Sequence, residues 1–106
     1  MTPDGRRLYV TDLLGTVSVV DTATGKVIGA PIPVGRHPKD VVVSPDGRRA
    51  YVTNQGEDSM SVIDTSTNKV TDTISVAGPT RIALTPDGRH AWITQYCCGT
   101  VSVIDF

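Results

Sequence analysis

Ser44-Pro45-Asp46-Gly47-Arg48-Arg49-Ala50-Tyr51-Val52-Thr53-Asn54 is the stretch on which the fold turns, because the chain contains it three times. Its opening returns as Thr2-Pro3-Asp4-Gly5-Arg6-Arg7 and as Thr85-Pro86-Asp87-Gly88-Arg89-His90. Its Ala50-Tyr51-Val52-Thr53 portion returns as Leu8-Tyr9-Val10-Thr11 and Ala91-Trp92-Ile93-Thr94. A third run, Met60-Ser61-Val62-Ile63-Asp64, has counterparts in Val17-Ser18-Val19-Val20-Asp21 and Val101-Ser102-Val103-Ile104-Asp105. The unit therefore repeats every 41–43 residues, in one order, over nearly the whole chain. Such a period marks stacked supersecondary units.

Each unit reads as four short strands. Asp40–Ser44 and Arg81–Thr85 are first strands that stop at Pro-Asp-Gly. In that turn proline presets φ, aspartate caps through its side chain and glycine takes the positive-φ position. Arg49–Asn54 is a second strand, rich in β-branched and aromatic residues, and residues 60–63 alternate as a third. Asp64-Thr65-Ser66-Thr67-Asn68 and Asp21-Thr22-Ala23-Thr24-Gly25 are hairpin turns with Asn or Gly at positive φ. Lys69–Val76, more polar, is an outer fourth strand. No window has helical periodicity, so the class is all-β.

One four-stranded meander cannot cover both of its faces, and radial stacking buries them. The expected architecture is a β-propeller fragment of about two and a half blades. Residues 1–38 form a blade lacking its first strand, 39–79 a complete blade, and 80–106 a blade lacking its last strand. Met1 stands where Val43 and Leu84 end first strands, and Phe106 stands in the slot of Thr22 and Thr65. Rings close with about four to eight blades, so this chain is expected to be a piece of a longer propeller or a protomer of an assembled one.

The chain has 106 residues, with 10 basic and 11 acidic side chains and a net charge of −1. No clustered basic excess points to nucleic acid. No apolar run is long enough to span a bilayer as a helix. The protein or small-molecule partner is not specified by composition, and self-association through open blade edges is expected.

In an antiparallel meander the Pro-Asp-Gly and Asp-Thr turns share one end of the blade, and the other two loops share the opposite end. The first pair keeps its length in every copy. Loop 12–15 is one residue shorter than 54–58, and 77–80 is two shorter than 34–39. Variable loops on a rigid scaffold are the usual place for binding. That end also holds the binding candidates Arg36, His37, Gln55, Glu57, Asp58, Tyr96, Cys97 and Cys98.

No catalytic residue, metal set or cofactor site is assigned. His37 and His90 fall at opposite ends, a strand length of about 17–20 Å apart, which excludes a shared site. Asp21, Asp64 and Asp105 are read as turn caps. Arg6, Arg48 and Arg89 are read as pairing locally with Asp4, Asp46 and Asp87. The adjacent Cys97-Cys98 leaves three readings open: reduced thiols, a strained vicinal disulfide, or part of a soft-metal site. Polar residues on first strands and their preceding loops are Arg36, His37, Lys39, Asp40 and Arg81, which form no recognisable set.

Pro-Asp-Gly-Arg, then Tyr51-Val52-Thr53-Asn54, Ser61-Val62-Ile63-Asp64-Thr65 and the Val70, Ile74, Val76 spacing together resemble the bacterial YVTN-type β-propeller repeat. Asp12 replaces the usual Asn in the first unit, and Trp92-Ile93-Thr94-Gln95 departs further in the third. The resemblance implies a bacterial protein that is periplasmic, cell-surface or secreted. It implies a non-enzymatic binding or structural module. The alternative it leaves is a fragment of a lactonase-like or quinoprotein-dehydrogenase-like enzyme, and vicinal disulfides occur in some quinoprotein propellers.

Overall fold

In the computed structural model, which describes residues 2–95 and 99–106, the three Pro-Asp-Gly segments fold identically. Gly5, Gly47 and Gly88 sit at φ 72°, 74° and 71°. Their N–H groups donate to the carbonyls of Thr2, Ser44 and Thr85 at 2.8–2.9 Å. Asp4, Asp46 and Asp87 each accept from the backbone N–H two residues on and from the hydroxyl two residues before. One carboxylate thus fastens both arms of the turn.

The described residues form ten strands, β1 Arg7–Asp12, β2 Thr16–Asp21, β3 Val27–Pro33, β4 Pro38–Val43, β5 Arg49–Asn54, β6 Ser59–Asp64, β7 Lys69–Ser75, β8 Pro79–Leu84, β9 His90–Gln95 and β10 Thr100–Asp105. The helical content among them is one 3-10 turn, Gln55–Glu57. Pairing is antiparallel, in sheets ordered β1-β2-β3, β4-β5-β6-β7 and β8-β9-β10. The second strand read from sequence, Arg49–Asn54, coincides with β5. First strands begin earlier than expected because Pro38 and Pro79 pair opposite Asn54 and Gln95, ahead of a register shift. Proline is tolerated at a first strand position since no ladder donor is demanded of it.

The sheets pack face to face in chain order. Tyr9, Val17, Val19 and Ile32 of the first sheet meet Ala50, Val52 and Ile63 of the second. Tyr51, Met60 and Val62, on the second sheet's other face, meet Ile82, Ala91 and Ile93 of the third. Alternation along β5 thus serves two cores, and its last five residues are all buried. Burying one such side chain contributes about 1.5–3 kcal/mol. The outer strand β7 is almost wholly exposed, which accounts for its polar sequence.

Polar staples cross between sheets. The Thr53 hydroxyl donates to the Thr80 carbonyl at 2.8 Å and accepts the Asp40 N–H at 3.1 Å. Thr94 repeats the second bond with Arg81 N–H at 3.0 Å. Asp40 itself accepts the Ile82 N–H at 3.1 Å. Tyr9 donates its hydroxyl to Asn68 Oδ1 at 2.8 Å. In the second and third units, the threonine of the tetrad is therefore the group that holds the irregular start of a first strand.

Gly25 and Asn68 occupy one turn position in successive units, at φ 71° and 55°. Gly25→Asn is expected to leave stability within about 0.5 kcal/mol, since Asn tolerates the left-handed region, whereas Gly25→Ala should lose about 1 kcal/mol. Urea unfolding of the two variants measures the difference.

Candidate functional site

The two loop classes lie at opposite ends of the sheets. At the first end, Thr22 and Thr65 reach from the Asp-Thr turns to the Pro-Asp-Gly turns: their N–H groups donate to the Arg6 and Arg48 carbonyls at 3.1 Å, and their hydroxyls to the Gly5 and Gly47 carbonyls. In the third unit the Phe106 N–H makes the same backbone bond to Arg89 at 2.8 Å. Its ring stacks on Tyr51, with centroids 4.6 Å apart.

At the other end the loops interlock in sequence. Val34 N–H donates to the Gly15 carbonyl at 2.9 Å. Gln55 and Gly56 N–H groups donate to the His37 and Arg36 carbonyls at 3.1 and 3.0 Å. Val76 N–H reaches the Asp58 carbonyl at 3.0 Å, and Gly78 N–H reaches Asp58 Oδ1 at 2.8 Å. Gln95 Nε2 donates to the Ala77 carbonyl at 3.1 Å. His37 and Asp58 both adopt φ 50°, which polar residues tolerate better than β-branched ones.

The fourth tetrad position organises each second-to-third loop. Asn54, fully buried, donates from Nδ2 to Ser59 Oγ at 3.2 Å and Ser61 Oγ at 2.8 Å. Gln95, in the same slot, accepts from Thr100 and Ser102 hydroxyls at 2.9 and 2.7 Å, so the departure from Asn keeps the same two partner positions. Asp12 instead caps Leu14 N–H at 2.8 Å. Asn54 Oδ1 has no partner among the described residues.

Among the sequence candidates, Arg36, His37, Gln55, Glu57 and Asp58 are brought together. Arg36 Nε meets Glu57 Oε1 at 3.3 Å, with the side chains 78% and 43% exposed. An ion pair so placed contributes about 0–1 kcal/mol and stays available to a partner. Asp58 is occupied in holding Gly78. Tyr96, Cys97 and Cys98, like Met1, lie outside the described residues. Of the first-strand polar residues, Asp40 staples β4 to β8, while Lys39 and Arg81 are exposed. Among the described residues no three His, Cys, Asp or Glu side chains gather as a metal set.

Two expectations change in detail. Asp4, Asp46 and Asp87 bind the backbone N–H of Arg6, Arg48 and Arg89, and among the described residues no guanidinium pairs with them. The turn amide lies closer to the carboxylate than a flexible arginine head does. Asp21 and Asp64 cap their turns as expected, but Asp105 faces His90 Nδ1. Sequence reasoning also missed a cleft of 580 Å³ at the Pro-Asp-Gly end, lined by Gly47, Arg48, Arg49, Asp64, Thr65, Ser66 and Thr71. The recurring Arg-Arg pair was its only trace in the sequence.

Asp4, Asp46 and Asp87 are held below the ordinary carboxylate range, first by the Thr2, Ser44 and Thr85 hydroxyls and then by the arginine N–H groups. Asp64 is lowered by the Ser66 hydroxyl and N–H. Burial raises Tyr9. Because folding depresses these carboxylates, their bonds stabilise the fold above the unfolded value near about 3.9, and that stabilisation fades as pH falls through the lower folded values. The urea midpoint is therefore expected to drop below about pH 4. Replacing Asp4, Asp46 and Asp87 together by Asn should flatten that dependence.

No protein-family model matches the chain, and a search of curated proteins finds no match. Among solved structures, hydrazine synthase from Kuenenia stuttgartiensis is similar over 99% of this chain and 31% of its own, at 35% identity and a TM-score of 0.93. The dihydro-heme d1 dehydrogenase NirN, in complex with DHE, matches 97% of this chain and 22% of its own at 22% identity, TM-score 0.79. A protein from Bacteroides uniformis assigned provisionally as a 6-phosphogluconolactonase matches 99% and 34% at 19% identity, TM-score 0.82. The chain spans about a third or less of these structures' lengths. The latter two show the fold alone. With three antiparallel sheets stacked in order and propeller proteins as its structural likenesses, the chain is a partial β-propeller.

Proposed function

We propose that the chain is a non-enzymatic binding and structural segment of a bacterial, extracytoplasmic YVTN-type β-propeller. Its blades would span 1–38, 39–79 and 80–106, and its ligand would engage the end carrying loops 12–15, 35–39, 54–58 and 95–99. The observation that carries this reading is the chain of interlocked loops, which holds the exposed Arg36 and Glu57 on a rigid base. Length differences collect there, while the opposite end repeats one turn chemistry. A second reading, a piece of a propeller enzyme, draws on the 35% identity to hydrazine synthase and the shape shared with the lactonase-like structures.

Backbone NMR of the chain, titrated with sugar phosphates and with acidic and basic peptides, tests both readings. Shifts confined to residues 12–15, 34–37 and 55–58, and lost in Arg36→Ala/Glu57→Ala, are expected. Shifts centred on Arg6, Arg48 and Arg89 would put binding at the Pro-Asp-Gly end instead. Hydrolysis of 6-phosphogluconolactone above its spontaneous rate would favour the enzyme reading.

A further inference from the structure

Clefts gather at the Pro-Asp-Gly end, and they come in matched pairs. A cleft of 290 Å³ at the junction of the first two units takes Arg6, Arg7 and Tyr9 from one and Asp46 and Thr65 from the next. It lies between turns that are complete on both sides. At the second junction a cleft of 420 Å³ takes Arg48, Arg49 and Tyr51, with Asp87 and Phe106 in the corresponding places. Beside them, the 580 Å³ cleft holds Arg48, Arg49, Asp64, Thr65 and Ser66. Its counterpart in the first unit, of 340 Å³, holds Arg6, Arg7, Asp21, Thr22 and Ala23.

The four arginines are exposed, and among the described residues none of them pairs with a carboxylate. The acids beside them serve their own turns through one oxygen. Asp4, Asp46 and Asp87 each make both of their bonds with Oδ1, as does Asp64. Their Oδ2 atoms make no bond among the described residues and are left to accept hydroxyls. Cationic donors and anionic acceptors therefore alternate along this end, once per sheet, and sheets packed face to face lie about 10 Å apart.

We propose that the Pro-Asp-Gly end binds a sparsely charged acidic polysaccharide, laid across successive blades with one acid group at each arginine cluster. A densely charged polymer does not fit the spacing. Phosphates recur about every 3.4 Å along one strand of duplex DNA, and neighbouring residues of an extended acidic peptide lie about as close. Most of those charges would face Asp4, Asp46 and Asp87 instead of arginine. A glycan with one acid group per disaccharide spaces its charges widely, and its hydroxyls suit the carboxylate oxygens between the arginines. Exposed single ion pairs are weak, so a lone sugar acid or sugar phosphate at one cleft is held poorly; affinity comes from joining the contacts. This surface is separate from the loop end and from the ligand proposed there.

Hyaluronan oligosaccharides, which carry one carboxylate per disaccharide, test it by calorimetry and backbone NMR at about 0.15 M salt, where distant charges are screened. The hexasaccharide should bind at least about a hundredfold more tightly than the disaccharide. It should shift residues 4–7, 46–49 and 87–90, and not 34–37 or 55–58. Arg6→Ala/Arg48→Ala should weaken binding at least about tenfold, the loss expected for charge-assisted hydrogen bonds. Arg81→Ala removes a like charge away from the clefts and should change affinity by no more than about twofold. Arg6→Gln/Arg48→Gln replaces the alanine pair if circular dichroism shows that pair unfolded. Equal affinity for the two lengths, binding that survives the arginine substitutions, equal binding of neutral dextran, tighter binding of inorganic triphosphate, or shifts centred on the loop end would each overturn the proposal.

Discussion

Tyr51→Ala is expected to remove about 3–5 kcal/mol of stability, the range for truncating a large aromatic side chain in a closed core. Tyr51 is 2% exposed, packs with Met60, Val62, Ile82 and Ile93, and stacks on Phe106. A domain of this size holds only about 5–15 kcal/mol, so the variant should be partly unfolded at moderate urea. Position in the stack, not residue type, sets the size of the effect. Trp92 fills the same repeat position on the third sheet but is half exposed. In the monomer Trp92→Ala should lose no more than about 1 kcal/mol, the ordinary result for a side chain that leaves no enclosed cavity. Urea titration at a concentration where each chain is monomeric gives both values. Equal losses at the two positions would mean that the third sheet is covered by something other than solvent.

Gly35→Ala is the second large expected effect, and its cause differs. A Cβ on Gly35 would stand 2.7 Å from both Cβ and Cγ of Asn54. Asn54 cannot swing aside, because it is fully buried and its amide is fixed to Ser59 and Ser61. Either β5 or the loop leading to β4 must move, at about 1–3 kcal/mol for an overpacked interior. The displacement would also disturb the Gln55–His37 and Gly56–Arg36 backbone bonds next to it. Loss of amide protection at Gln55 and Gly56, together with lower stability, is the expected pair of observations. Full protection at those amides would show that the loop end yields without loosening.

The repeat makes the architecture legible in the sequence itself. Pro-Asp-Gly and Asp-Thr turns carry their geometry in their own side chains, so Gly47, Asp46 and Asp64 could be read locally. The uninterrupted apolar run Ala50-Tyr51-Val52 in β5 matches its burial on two faces, although the sequence alone reads only as a strand rich in β-branched and aromatic residues. The contacts that cross between units were not legible. That Thr53 reaches Thr80, Asp40 reaches Ile82 and Tyr9 reaches Asn68 depends on how sheets are offset, which no local pattern encodes. Gln95 was visible only as a departure from Asn, although it serves the same two hydroxyl positions. At the candidate site, loop length singled out the end, but the Arg36–Glu57 contact and the commitment of Asp58 to Gly78 required the fold. The cleft at the Pro-Asp-Gly end went unseen because the sequence there looks like turn chemistry alone.

Amide hydrogen exchange of the monomeric chain tests most directly the claim that three copies of one unit stack so that the middle sheet is sealed on both faces. The slowest exchange should fall on β5 and β6, at Tyr51, Val52, Met60, Val62 and Ile63, and approach the limit set by global unfolding. The equivalent hydrogen-bonded amides of β2 and β10, each with one face open, should exchange at least tenfold faster, about 1.4 kcal/mol less protection. Protection of β10 equal to that of β5 and β6 would contradict the stacking.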